Sequence, residues 1–202
     1  MLADAATLLL HGLNRHLHAQ DGNPLNSAEV AIAGNPAELN APAGAAGLEN
    51  QVLLTLVNVE EEATLKNGPT SFVEGPRVAV RNRPVHLNLL LLISANYDEY
   101  TTALQRLSQV VAYFQSQKKF EPAAFPGALP NWPAGTELSL TLELVTLTLE
   151  EVNHVWGALG GHALPFATYR ARLAMIEHRV QAGGGGLVQD TRIDLRDTVG
   201  AG

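Results

Sequence analysis

Extended backbone dominates the apolar part of this chain, and too few helices separate the extended runs for a parallel sheet. Residues 51–59 are β-rich and apolar on both faces, with Val52, Leu54 and Leu56 against Leu53, Val57 and Val59. That pattern predicts a central strand. Val85 to Ser94 is a second strongly apolar strand. In 136–146, Leu138, Leu140, Leu142 and Leu144 alternate with Glu137, Ser139, Thr141 and Glu143, which predicts a half-buried strand. Thr168 to Val180 is the last long one. Parallel neighbours need a crossover of about a dozen residues or more, usually a helix.

The helical segments are few. Leu2, Ala6, Leu9, Leu13 and Leu17 recur at helical spacing, and Asp21-Gly22-Asn23-Pro24 ends that run. Asn96 and Glu99 predict a capping box for a helix whose apolar face is Tyr100, Leu104, Leu107, Val111 and Phe114, with Ala103 and Val110 beside it. A Pro-rich loop follows, with Pro122, Pro126, Pro130 and Pro133. Thr148 and Glu151 cap a short helix carrying Leu149, Val152, Trp156 and Leu159. With a short strand at Glu29 to Ala33, a loop at 34–47 and an insertion at 60–76, the order is α-β-β-β-α-β-α-β. The expected fold class is α+β, a mixed, mainly antiparallel sheet flanked by about three helices.

A length of 202 residues suits one domain, here residues 1–180, with a Gly-rich linker and C-terminal arm at 181–202. The absence of cysteine excludes disulfide scaffolds, thiolate metal sites and a cysteine nucleophile. A net charge of −7 argues against nucleic acid as a partner. No membrane segment is expected, because the longest apolar stretch, 85–95, is about half a spanning helix. The N-terminus lacks a basic region and a long apolar run, so synthesis in the cytoplasm without an export signal is expected. Charged residues make up only 16%, against roughly 25% in an average domain, and ten of the thirteen basic residues are Arg. Interfaces share that preference for Arg over Lys, and genomic base composition can produce it too.

The chemistry-bearing residues do not assemble into a catalytic pattern. Glu151 and His154 form one carboxylate–imidazole pair where a di-iron bundle needs two pairs and two more glutamates. His11, His16 and His18 share a helix, but no two are four residues apart. His86 and His178 sit in strands and could meet across the sheet, the usual case being a hydrogen-bonded histidine. Gly183 to Gly186 lacks the helix start and lysine of a phosphate loop and reads as a linker. No Gly-x-Ser-x-Gly elbow is present. No catalytic, cofactor-binding or metal residue is assigned, and no cofactor is expected.

Two features favour a protein partner. Arg77, Ala79, Arg81 and Arg83 share one parity opposite Val78 and Val80, and Pro84 ends the run, which predicts an edge ribbon or extended hairpin arm. After the glycines, Leu187, Ile193, Leu195 and Val199 share one parity and Arg192, Asp194 and Arg196 the other. Such an arm suits addition to a neighbour's sheet edge. Its interface candidates are Leu187, Ile193 and Leu195; those of the ribbon are Arg77, Arg81 and Arg83.

Residues 84–97, Pro-Val-His-Leu-Asn-Leu-Leu-Leu-Leu-Ile-Ser-Ala-Asn-Tyr, run into the helix with Leu104, Leu107-Ser108 and Phe114-Gln115. Residues 140–177 carry Asn153-His154-Val155-Trp156-Gly157-Ala158-Leu159-Gly160, Leu164-Pro165 and Tyr169-Arg170-Ala171-Arg172. In order and spacing these segments resemble the cap, or tail-terminator, proteins of extracellular contractile injection systems, which are phage-tail-like particles. The resemblance covers most of residues 1–180. It implies a tail-terminator-like α+β subunit of a hexameric ring that caps the inner tube and sheath at the end distal to the baseplate. It implies no enzymatic role, and as partners other copies of the chain, sheath and inner tube. Trp156 and Tyr169 match family positions, and helical phase places Trp156 in the core. Rival readings are a small-molecule-binding or hydrolytic α+β domain and a monomeric adaptor, which solution mass separates from a ring.

Overall fold

The computed structural model describes residues 1–22, 28–40, 47–62, 71–74, 77–81, 85–133, 136–160, 162–177 and 180–181. In chain order the elements are α1 (Leu2–Asp21), β1 (Ala31–Ala33), β2 (Gln51–Glu61), β3 (Ser71–Glu74), β4 (Arg77–Arg81) and β5 (Val85–Asn96). They continue with α2 (Tyr100–Ser116), β6 (Lys119–Phe120), β7 (Thr136–Val145), α3 (Leu149–Ala158), β8 (Phe166–Glu177) and β9 (Val180–Gln181). The fold is α+β.

Six strands form one sheet in the order β1-β2-β5-β8-β7-β6. Only β1 and β2 are parallel, and every other neighbour is antiparallel. A second sheet has the order β3-β4-β9. Along the chain β4 precedes β5 and β9 follows β8. The 60–76 insertion thus begins as the last residues of β2 and ends as β3. The Arg-bearing run is one strand of a β3–β4 hairpin, as expected, and its other side is met by β9 only at its last two residues. β4 takes β9 on its other side, with Val80 opposite Gln181 and Arg81 opposite Val180.

Strand parity sorts the main sheet into two faces. On one, Val52, Leu54, Leu89, Leu91, Ile93, Leu138, Leu140, Tyr169 and Leu173 pack against α1 and α2 and around Phe120. On the other, Leu53, Leu92 and Thr168 are buried, and Trp156 of α3 meets Phe166 edge-on at 5.5 Å. The helix ends follow local chemistry. Gly22 closes α1 in the left-handed region (φ 67°), its N–H donating to the His18 carbonyl. Thr148 and Glu151 form the expected reciprocal capping box, and the Thr148 backbone N–H and hydroxyl hold the Glu151 carboxyl below its ordinary range.

Helix α2 departs from its expected start and phase. It begins after Glu99, because Asn96 is still in β5 opposite Gln51 and donates its side chain to the Leu48 carbonyl. Its buried residues are Ala103, Val110, Tyr113 and Phe114, whereas Tyr100 and Leu104 are exposed. The Pro-rich loop also contains β6, which pairs with Thr141 and Leu140 of β7.

Gly12 lets α1 lie close against Tyr113 of α2. A Cβ there would lie 2.5 Å from Tyr113 Oη and 3.0 Å from Phe125 Cε1. Alanine would gain about 1 kcal/mol of helix propensity. Tyr113 cannot easily retreat, because it stacks on His16 at 4.8 Å and abuts Phe120. Overpacking of that kind costs about 1–3 kcal/mol and outweighs the propensity gain. Gly12→Ala is therefore expected to lower the thermal midpoint by a few degrees; a higher midpoint would show that the aromatic cluster yields.

Candidate interaction surfaces

The two sides of the β1–β2 corner are finished differently. The outer edge of β1 is closed by Asn14 of α1. Its Nδ2 donates to the Ala31 carbonyl at 2.8 Å, and its Oδ1 accepts from the N–H groups of Val30 (2.9 Å) and Ala31 (2.8 Å). The amide thus occupies the place of a neighbouring strand. β1, however, covers β2 only at Val52, Leu53 and Leu54. From Leu56 to Glu61, no strand among the described residues pairs with the outer edge of β2.

That open stretch contains a bulge. Leu56 pairs with Leu91 and Asn58 with Leu90, which leaves Val57 as the extra residue. The bulge brings Val59 onto the face of Leu56, opposite Leu89, and leaves Asn58 and Glu60 on the other face. Leu56 and Val59 are both 41% exposed. Beside them lies an apolar groove of about 210 Å³ lined by Leu2, Ala6, Leu9, Leu54, Leu56 and Leu89, with α1 as its wall. The expectation of a central strand therefore holds only for the first residues of β2, and sequence reasoning did not single out Leu56 or Val59.

Of the ribbon candidates, Arg77 and Arg81 lie on β4, with Arg77 at the register position opposite Glu74. Arg83 lies outside the described residues, as do Leu187, Ile193 and Leu195.

The remaining polar groups form no catalytic arrangement among the described residues. His16 stacks on Tyr113, while His11 and the buried His18 line a separate groove of about 810 Å³ together with Arg15 and Glu29. His86 lies opposite Ala174 in the β5–β8 ladder, and His178 is outside the described residues. Glu151 is a cap and His154 an exposed residue of α3. Among the described residues no three His, Asp or Glu side chains converge on a common point. The shifted groups have local causes. Burial pushes the Tyr113 and Tyr169 phenols up to about 12, and Lys119 lowers its partner Glu121. Arg106 is raised by Asp21, which it grips at 2.7 Å, tying α2 to the end of α1. No helix among the described residues is long and apolar enough to cross a membrane.

Comparison with curated proteins finds no match. Two solved structures share the fold. One is the sheath/tube terminator, in the extended state, of the extracellular contractile injection system PVC, with a TM-score of 0.51 and 13% identity over 95% of this chain and 64% of that one. The other is the tube-terminating cap of the anti-feeding prophage, with a TM-score of 0.56 and 16% identity over 90% of this chain and 58% of that one. This chain spans about three fifths of the length of each. The sequence profile of the Pvc16 N-terminal domain matches residues 4–190, nearly the whole chain, and the chain belongs to that family.

Proposed function

We propose that this chain is a structural subunit that caps and terminates the inner tube and sheath of a contractile injection system at the end distal to the baseplate. It does so as a hexameric ring, without a catalytic step or cofactor. The observation that carries this reading is the family match over residues 4–190, supported by the fold shared with two terminators. A ring requires a heterologous interface, in which one surface of a subunit meets a different surface of the next. The β3–β4 hairpin with Arg77 and Arg81, the nearby Arg83, and the 187–199 arm are the surfaces assigned to neighbouring copies or the last sheath layer. Residues 1–180 form the terminator-like domain and 181–202 the linker and arm. The partners are other copies of the chain, sheath and tube, and neither nucleic acid nor membrane. The protein is made in the cytoplasm and becomes a component of an assembled particle.

Deleting residues 183–202 is expected to weaken ring formation or attachment to the sheath. Electron micrographs of particles assembled with the truncated chain should show uncapped or over-long tubes. An unchanged length distribution with caps retained would refute the role given to the arm. A ring near six times 21.5 kDa in solution, or co-purification with sheath and tube, supports the wider reading.

A further inference from the structure

A surface helix ordinarily carries charge on its outer side, and α2 does not. Residues 100–116 contain one charged side chain, Arg106, which Asp21 of α1 holds at 2.7 Å. Arg106 and Tyr113, which stacks on His16, mark the side of α2 that faces α1. Leu104 and Val111 each stand two residues from one of these, about 200° around the helix, so they face away from α1. With Tyr100 and Leu107 they form a stripe at steps of four, three and four. Tyr100 is 67% exposed, Leu104 is exposed, and Leu107 and Val111 are half-buried. The neighbouring outward residues Thr101, Gln105 and Ser108 are uncharged. An apolar stripe without charge around it has the composition of an interface core.

The sheet beneath shows the same excess on both flanks. Leu56 of β2, Leu91 of β5, Tyr169 of β8 and Leu144 of β7 stand opposite one another and form one row on the face that carries α1 and α2. The middle two are buried beneath the helices, whereas Leu56 at one end and Leu144 at the other are exposed. Helix α2 lies over β5 and β8, so Leu144 stands beyond its outer flank. Leu56, with Val59 on its face, borders the apolar groove walled by Leu2 and Ala6 of α1. Apart from Met1 and Leu149, every exposed large apolar residue among the described ones belongs to one of these two patches. Single apolar residues scattered on a surface need no explanation, but clusters on opposite flanks of one layer do.

We propose that the α2 flank of one copy of this chain docks on the β2–α1 flank of the next, burying Tyr100, Leu104 and Leu144 against Leu2, Leu56 and Val59. The proposal rests on the ring reading and supplies that ring with two unlike surfaces. The patches lie at opposite ends of one sheet row, so they cannot meet within a chain. A contact between them is head-to-tail and repeats around a closed ring. The protruding α2 stripe also suits a groove, whereas α2 against α2 would leave the groove uncovered.

Thiol cross-linking tests this contact, since the chain has no cysteine of its own. Full-length chains carrying Leu104→Cys or Val59→Cys, both exposed positions, bear different tags and are mixed. They are treated with a short bismaleimide, alone and with tube and sheath protein, and association is followed by solution mass. The cross-linked dimers are expected to carry both tags, joining Leu104→Cys to Val59→Cys. Tyr100→Glu is expected to abolish association while the thermal midpoint stays unchanged, and association undiminished by it overturns the proposal. Copies that associate but cross-link nowhere overturn this contact and leave the ring reading standing. Dimers linked only from Leu104→Cys to Leu104→Cys, with a solution mass of two chains, overturn the contact and the ring. A thiol at either position that stays unreactive in the free monomer shows that flank covered by its own chain, and overturns the contact. Copies that remain monomeric under every condition overturn the ring and the contact together.

Discussion

Replacing Asn14 with leucine is expected to destabilise the protein by about 3 kcal/mol, roughly a 10 °C fall in the thermal midpoint for a chain of this length. The side chain makes three hydrogen bonds to Val30 and Ala31 from a site only 7% exposed. Leucine has similar volume, so packing is largely conserved and the loss is polar. The Ala31 N–H and carbonyl would then be buried without partners, at about 1–3 kcal/mol for each orphaned group. The Val30 N–H is only part-buried and recovers water more easily. A three-residue strand held by β2 alone has little else to fix it. Amide exchange at Ala31 should therefore accelerate before the rest of the sheet opens. A midpoint within a degree or two of the parent, with Ala31 still protected, would show that β1 does not need this side chain.

The same corner shows how far the sequence could be read. Strand β7 was legible because its buried side repeats leucine at every second position, and Leu138, Leu140 and Leu142 are indeed buried. The α3 cap was legible because Thr148 and Glu151 act on their own backbone, a purely local interaction. Helix α2 was legible as a helix but not in phase. Apolar residues spread over more than half its circumference, so Tyr100–Leu104 and Ala103–Val110 are equally good stripes until the sheet selects one. Asn96 looked like a cap but is held in β5 by Gln51 and Leu48. The course of β2 beyond Leu54 was the least legible feature, because it depends on how short β1 is and on a bulge at Val57 that the local sequence does not announce. Asn14 left a faint signal, a polar residue between Leu13 and Leu17 on the stripe that meets the core.

Trp156→Ala is expected to have the largest effect of any single truncation on α3, about 3–5 kcal/mol by comparison with other buried aromatic residues. Trp156 is 3% exposed and is the only buried residue of that helix, while Leu149 at its start is 85% exposed. Docking of α3 on the sheet therefore depends chiefly on one side chain and its edge-on contact with Phe166. A truncated leucine in α1 leaves several fully buried neighbours to hold the helix; here only half-buried Val152, Val155 and Leu159 remain. The far side of the sheet keeps its own core against α1 and α2. The loss should accordingly appear first as local undocking: amides of 149–158 lose protection while those of β5 and β8 keep theirs. Trp156→Phe preserves a ring against Phe166 and should cost distinctly less. If Trp156→Ala instead lowered protection equally in α3, α1 and the central strands, the two faces would form one cooperative unit, and α3 would be as integral to the sheet as α1.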